Sequence, residues 1–151
     1  MKSVIAVKPV PIYVDTSALA KRYVLERGSE AFDAFMGDCD EECVISALGT
    51  TEFESVLQRL KRQGYVDAAF MERARNSFMA DLGSAVWSVR PLMSASFNQA
   101  AELMRSLNVP LATLDALHLA SALDLGCDSF ATGDKQLSRA AAMRGLIVHE
   151  F

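Results

Sequence analysis

The chain has 151 residues, of which 51% are hydrophobic and 23% charged, and its formal net charge is −4. These values predict one soluble globular domain with a proper core and exclude a disordered or low-complexity chain. The negative charge does not exclude a nucleic-acid partner, because cations bound by converging acids reverse the local field that a phosphate experiences. The odd cysteine count excludes a disulfide framework, and we expect Cys39 and Cys43 to be reduced, structural thiols rather than zinc ligands.

The amino-terminal segment does not have the pattern of a signal peptide. Its apolar run is short, is interrupted by Lys8 and Pro9, and lacks a small-residue cleavage pattern. No later segment approaches the roughly 20 apolar residues that span a bilayer. We therefore expect a cytoplasmic protein without a membrane segment, in which residues 1–11 form an extension and residues 12–151 a single domain.

Short apolar runs alternate with longer stretches of helical periodicity along the chain. Strands are predicted at residues 12–14, 43–46, 85–89, 129–132 and 146–148. Helices are predicted at residues 15–23, 29–37, 47–63, 66–82, 96–107, 113–125 and 134–143. This alternation predicts a three-layer α/β/α fold with a mainly parallel central sheet flanked by helices. Such sheets bind ligands at the carboxyl ends of their strands.

Two acidic residues occupy those strand ends, and a third opens a helix. Asp15 follows the first predicted strand directly, and Asp134 closely follows the fourth. Asp115 lies in the first turn of the helix predicted at 113–125. Each of them alone has an ordinary explanation, because aspartate caps helix N-termini and interacts favourably with the helix dipole.

Glu52 requires a different test because it lies inside a predicted helix. At about 100° per residue, Phe53, Val56 and Leu57 form one apolar stripe, and Glu52 lies at the edge of that stripe. A carboxylate at the edge can reach a neighbouring cleft while its stem packs against the domain. A solvent-facing glutamate is the alternative interpretation of the same position.

The four acids together point to a metal site. Carboxylates held close together repel one another, and some stay protonated unless a cation is bound. A hard divalent ion with oxygen ligands, Mg²⁺ or Mn²⁺, fits a site made of Asp15, Glu52, Asp115 and Asp134. Zinc is disfavoured because the set contains no histidine or cysteine.

The motifs around these acids resemble the PIN-domain family, and specifically its toxin branch, the VapC-like ribonucleases of bacterial toxin–antitoxin pairs. The opening motif is IYVDTSAL at residues 12–19, and the second combines Ser46 with TEF at residues 51–53. The third and fourth, LDALHLA at residues 114–120 and FATGDKQL at residues 130–137, are the more specific ones. The segment before Ile12 departs from the family pattern, because family members usually begin almost at the first strand.

The resemblance implies a metal-dependent endoribonuclease that usually works as a homodimer and is restrained by a cognate antitoxin. One or two Mg²⁺ ions would be held by Asp15, Asp115 and Asp134. Glu52 would serve as a further ligand or as the partner of the attacking water. The substrate would be RNA, hydrolysed at its phosphodiester bonds with the help of the metal.

Several neighbouring residues are candidates for supporting roles. The hydroxyls of Thr16 and Thr132 are expected to bond to Asp15, Asp134 or a water of the site, with helix capping or a strand-end position as the alternative. His118 follows Asp115 by one helical turn and either orients a carboxylate, contacts substrate or packs in the core. Four cations are candidates for holding RNA phosphates: Lys21, Arg22, Lys135 and Arg139. The run of Arg59, Lys61 and Arg62 is interpreted as a solvated helix face.

Two other functions share part of this pattern. A phosphatase similar to the haloacid dehalogenases also opens with a strand that ends in aspartate, but it needs a second aspartate two residues later, and Ser17 stands there. A catalytically silent PIN-like module that binds protein or RNA would keep the same fold. The presence of all four acids gives that second alternative no support.

Overall fold

The computed structural model describes residues 9–151, so residues 1–8 of the predicted extension lie outside the described part of the chain. Within it, the strands are β1 (Ile12–Val14), β2 (Cys43–Ser46), β3 (Ser88–Arg90), β4 (Ser129–Thr132) and β5 (Ile147–Glu150). The helices are α1 (Thr16–Ala20), α2 (Ser29–Asp38), α3 (Ala47–Arg62), α4 (Ala68–Gly83), α5 (Ser94–Ser106), α6 (Thr113–Asp124) and α7 (Lys135–Met143).

The strands form one sheet in the order β3-β2-β1-β4-β5, and every described pairing is parallel. The predicted mainly parallel sheet is therefore confirmed. β1 lies in the middle, where Val14 pairs with Ala131 of β4. The carboxyl ends of β1 and β4 consequently lie side by side, although more than a hundred residues separate them in sequence.

Helices cover both faces of this sheet, which confirms the three-layer architecture. Side chains alternate along β1, so Ile12 and Val14 pack with α1–α4 while Tyr13 packs with α5–α7. Phe53 and Leu57 of α3 are buried on the first face, as the apolar stripe predicted. Each face of the sheet thus has its own hydrophobic core.

The predicted boundaries differ from the observed ones mainly at the sheet edges and in α1. The third strand begins at Ser88 rather than Ala85, and the fifth runs to Glu150 rather than Val148. α1 ends at Ala20 instead of continuing to Tyr23, because the next amides bond back to carbonyls only three residues away. The predicted stop of α6 at Gly126 is confirmed, with a φ of +68° that favours glycine.

None of the helices within residues 9–151 combines the length and the apolar character that crossing a bilayer requires.

Candidate active site

Asp15 is the most tightly held of the four acids. It caps α1, and its Oδ1 accepts a hydrogen bond from the amide of Ala18 at 2.9 Å. The Ser17 hydroxyl lies 2.8 and 2.9 Å from the two carboxylate oxygens, and the Thr132 hydroxyl donates to Oδ2 at 2.7 Å. Only 3% of Asp15 is exposed, and burial raises the pKa of its carboxyl above the ordinary value despite these hydrogen bonds.

Thr132 connects Asp15 to the fourth acid. Its hydroxyl donates to Asp15 and accepts a hydrogen bond from the backbone amide of Asp134 at 3.0 Å. The Asp134 side chain in turn caps α7 by accepting from the amide of Leu137 at 2.8 Å. Asp15 and Asp134 therefore cap helices, as the ordinary interpretation of each predicts, and both also line the same cleft.

Asp115 has a different environment. It lies in the first turn of α6, is half-buried, and within residues 9–151 its carboxylate accepts no hydrogen bond. Burial, together with the charges of Asp134 and Asp15, raises the pKa of Asp115 to about 6. That shift indicates a carboxylate that faces other carboxylates.

Glu52 projects from α3 toward the same group. Thr16 donates to its Oε1 at 2.8 Å, and the same oxygen is hydrogen-bonded to Nε2 of His118. Burial alone would raise the pKa of Glu52, but the hydrogen bonds and the charge of His118 outweigh it, so the pKa lies below the ordinary value. Thr16 therefore supports Glu52 rather than the aspartates, and His118 is both a buried residue and the partner of a carboxylate.

The four carboxylates line one open cleft of about 750 Å³. Of the four cations that the sequence nominated, only Lys21 lines it, whereas Arg22 is paired with Asp81 at 2.7 Å. Arg59, interpreted from the sequence as part of a solvated run, is exposed and also lines the cleft. Cation placement was thus predicted poorly, because a helical pattern does not show which neighbouring element a long side chain meets.

Lys21 is fixed close to the acids. Its Nζ donates to the carbonyl of Arg27 at 2.6 Å and pairs with Glu26 at 3.2 Å. Its stem crosses Gly133, where an added Cβ would lie only 2.7 Å from Cε of Lys21. Glycine at position 133 therefore leaves room for the stem of Lys21 beside the acids.

Sequence reasoning missed the role of Ser17, which it used only to dismiss a phosphatase. The Ser17 hydroxyl also accepts a hydrogen bond from the amide of Gly133 at 2.8 Å, so it ties the end of β4 to α1. Its position two residues after Asp15, on the first turn of a helix, is the signal that could have indicated this role.

The donor set of the cleft fits a hard divalent cation. All four acids offer only oxygen, and their mutual repulsion, visible at Asp115, is relieved by a positive charge between them. Within residues 9–151, no three His, Cys, Asp or Glu side chains are already grouped tightly enough to hold an ion by themselves. Mg²⁺ does not require such a cage, because it usually keeps several waters and binds through one or two carboxylates. Asp15, Asp115 and Asp134 are the residues that would hold it.

The fold and the cleft together define a class of protein. It is an α/β domain in which acidic side chains converge at the carboxyl ends of parallel strands. The family model for the PIN domain matches residues 12–143. The chain therefore belongs to the PIN domain family. No curated protein gives a significant match to the sequence.

Solved structures share this fold at low sequence identity. VapC20 of Mycobacterium tuberculosis, a toxin that cleaves the sarcin–ricin loop, is 21% identical with a TM-score of 0.67, covering 85% of this chain and 94% of its own. FitAcB of Neisseria gonorrhoeae is 17% identical with a TM-score of 0.63, covering 91% and 95%. A toxin–antitoxin complex of Klebsiella pneumoniae is 17% identical with a TM-score of 0.60, covering 93% and 99%.

Proposed function

We propose that this protein is a Mg²⁺- or Mn²⁺-dependent endoribonuclease and the toxin of a toxin–antitoxin pair. The observation that carries the proposal is the convergence of four carboxylates on one cleft, where the charges of Asp134 and Asp15 contribute to the raised pKa of Asp115. Such a group of carboxylates is stable in its ionised form only with a cation present.

The residues of the cleft have distinct tasks in this reaction. Asp15, Asp115 and Asp134 bind the cation, and Glu52 orients the attacking water through its carboxylate. When bound, Mg²⁺ or Mn²⁺ polarises the phosphodiester and neutralises the charge that develops on it. Lys21 lies beside the acids and is suited to a phosphate oxygen of the bound RNA.

Membership of the PIN family and the solved neighbours support the toxin assignment. VapC20 is described as a toxin, and the Klebsiella neighbour is a toxin–antitoxin complex. Leu25 and Tyr65 are 92% and 75% exposed and line a second groove beside the cleft, which suits an apolar segment of a protein partner. We accordingly propose that a cognate antitoxin is encoded by a neighbouring gene. We also propose that the protein is a homodimer and that it acts in the cytoplasm, where the RNA is.

The decisive experiment incubates the purified protein with fluorescently labelled single-stranded and hairpin RNA in Mg²⁺, in Mn²⁺ and in EDTA. We expect cleavage that depends on the divalent ion. Asp15→Asn should lower the rate by about 100-fold or more while the protein stays folded, because the amide keeps an acceptor for the Ala18 amide but no longer attracts a cation. Asp40→Asn, the same change on an exposed loop residue, is the matched control.

Two results would contradict the proposal. Cleavage that continues in EDTA would require a different chemistry, and full activity of Asp15→Asn would remove the central acid from the mechanism. Absence of cleavage with either ion, across both RNA forms, would favour the silent interaction module instead.

A further inference from the structure

Three sulfur atoms lie together where α2 ends and β2 begins. Sγ of Cys39 is 3.6 Å from Sγ of Cys43, and Sδ of Met36 is 4.0 Å from the Cys43 sulfur. Both cysteines are free thiols. We call Met36, Cys39 and Cys43 the sulfur triad. None of the three lines the carboxylate cleft, so the triad takes no part in the reaction proposed above.

The end of a helix and the start of a strand bring the triad together. Met36 lies in the last turn of α2, Cys39 caps the C-terminus of that helix, and Cys43 is the first residue of β2. The backbone of Cys43 is fixed by its pairing with Ile12 of β1. Cys43 is buried in the core, whereas Met36 and Cys39 are partly buried and pack against it. The triad therefore has a rigid anchor and is accessible from solvent.

The spacing of the sulfurs is close to that of ligands on one metal ion. With metal–sulfur bonds of about 2.3 Å, two sulfurs bound to the same ion lie roughly 3.8–4.0 Å apart. The observed separations are 3.6 and 4.0 Å. They are much longer than the bond of about 2.05 Å that joins the sulfurs of a disulfide. An ion can thus be bound with little rearrangement of these side chains.

The donor types select a soft cation. Thiolate and thioether ligands favour Cu⁺, whereas a structural zinc site needs four ligands, normally from cysteine, histidine or carboxylate. The segment is also acidic, because Asp38, Asp40 and Glu41 surround Cys39 in the sequence. Oε2 of Glu41 lies 3.5 Å from the Cys39 sulfur, and this negative charge attracts a cation. Mg²⁺ prefers oxygen ligands and does not compete for the sulfurs.

We propose that the sulfur triad binds one Cu⁺ ion through the two thiolates of Cys39 and Cys43 and the thioether of Met36. On binding, both S–H bonds break, two thiolate–copper bonds form, Met36 adds the third sulfur, and two protons are released to water. Copper enters as Cu⁺, so no electron is transferred.

The protonation of the free thiols is consistent with such an exchange. Burial raises the pKa of both thiols, to about 12 at Cys43, so they keep their protons while no soft ion is bound. Because the thiolate is the form that is oxidised, these raised pKa values also oppose formation of a disulfide. A coordinating metal ion removes the proton of a thiol directly.

The site can be tested on the whole reduced protein under nitrogen, with the coloured complex of Cu⁺ and bicinchoninate as the copper source. In the presence of excess MgCl₂, we expect the protein to withdraw one Cu⁺ per chain, measured as loss of the colour. X-ray absorption spectroscopy of the loaded protein should show three sulfur neighbours around copper. Failure to withdraw copper, or oxygen or nitrogen in place of the third sulfur, would overturn the proposal.

Matched variants distinguish the triad from adventitious binding by a thiol. Cys39→Ser, at the partly exposed cysteine, should abolish the uptake of copper. Cys127→Ser removes the third free thiol, which is buried in the core on the other face of the sheet, and should leave the uptake unchanged. Circular dichroism checks that each variant is folded. Equal loss of uptake in Cys39→Ser and Cys127→Ser would contradict the proposal.

A third variant tests the thioether alone. Met36→Leu keeps the size of the side chain and both thiols, but it should lower the affinity for Cu⁺ about tenfold or more, because one of three sulfurs is lost. An unchanged affinity would refute the three-sulfur site. All of these measurements are independent of RNA cleavage, so they decide the copper site whether or not the proposed nuclease function holds.

Discussion

On one side of the cleft, Asp15 accepts hydrogen bonds from Ala18, Ser17 and Thr132 and is almost completely buried. On the other side, Asp115 is half-buried and accepts no hydrogen bond within residues 9–151. The pKa of both carboxyls is raised, chiefly by burial. At Asp115 the charges of Asp134 and Asp15 add to this shift. At Asp15 several hydrogen bonds oppose it, and His118 opposes it at both residues.

This contrast shows how one folded domain can hold several carboxylates close together and remain stable. The Asp15 side is built by the seam between β1 and β4, whose hydrogen bonds offset part of the cost of burying its carboxylate. The Asp115 side costs stability when it is ionised, because it has like charges as neighbours and no donors. We therefore expect a substitution of Asp115 to lower activity without lowering stability. A substitution at the seam between β1 and β4 should instead lower stability clearly and activity only slightly.

The largest effect is expected from Asp115→Asn. Its activity should fall about 100-fold or more, because a ligand of the cation is lost. Its melting temperature at pH 7.5 should equal or exceed that of the parent protein. The sign follows from the raised pKa: ionised Asp115 is unfavourable in the folded state, and stability is lost as pH rises through about 6. Calorimetry and the RNA assay measure both quantities, and a marked loss of melting temperature would contradict the contrast between the two sides.

The affinity for Mg²⁺ should depend on pH through the same residue. Asp115 must lose its proton to bind the ion, so affinity should fall as pH drops below about 6, by about tenfold per unit, and level off above pH 7. Isothermal titration with MgCl₂ between pH 5 and pH 8 tests this dependence. In Asp115→Asn the slope around pH 6 should disappear, and a slope that persists there would assign the titration to another group.

Thr132→Val is expected to have the smallest effect on catalysis and a clear one on folding. The valine keeps the shape but leaves Oδ2 of Asp15 and the amide of Asp134 without their buried partner, which should cost about 1–3 kcal/mol. Urea denaturation should show this loss, with activity lowered only several-fold. Thr50→Val is the matched control, because this partly exposed threonine of α3 donates only to the carbonyl of Ala47 in its own helix; it should leave activity unchanged and cost less stability than Thr132→Val. Equal stability of the two variants would mean that the seam is not what holds Asp15.

The central strands could be predicted from the sequence because short runs of apolar residues mark them locally. The bounds of β1, β2 and β4 were predicted correctly, since these strands are buried on both faces and appear as unbroken apolar runs. The predicted ends of the edge strands β3 and β5 differ from the observed ones by one to three residues, because the extent of these strands depends on pairing with a single neighbour. Burial of Trp87 just before β3 is a tertiary contact that periodicity does not reveal.

For the site, the sequence indicated which acids converge but not how they are held. Their positions at strand ends and at a helix edge sufficed to bring Asp15, Glu52, Asp115 and Asp134 to one cleft. The partners of those acids depended on side-chain directions across elements that are distant in sequence. Thr16 was expected beside an aspartate and instead bonds to Glu52, and Tyr13, considered only as part of an apolar strand, bonds to His118 through its hydroxyl.

The pairing of β1 with β4 has a consequence for the order in which the protein is made. Asp15 leaves the ribosome more than a hundred residues before the strand that carries Thr132. A growing chain therefore has no complete cleft until β4 and Asp134 have emerged. The same seam delays the cutting chemistry proposed for this protein until β4 has been synthesised and has paired with β1.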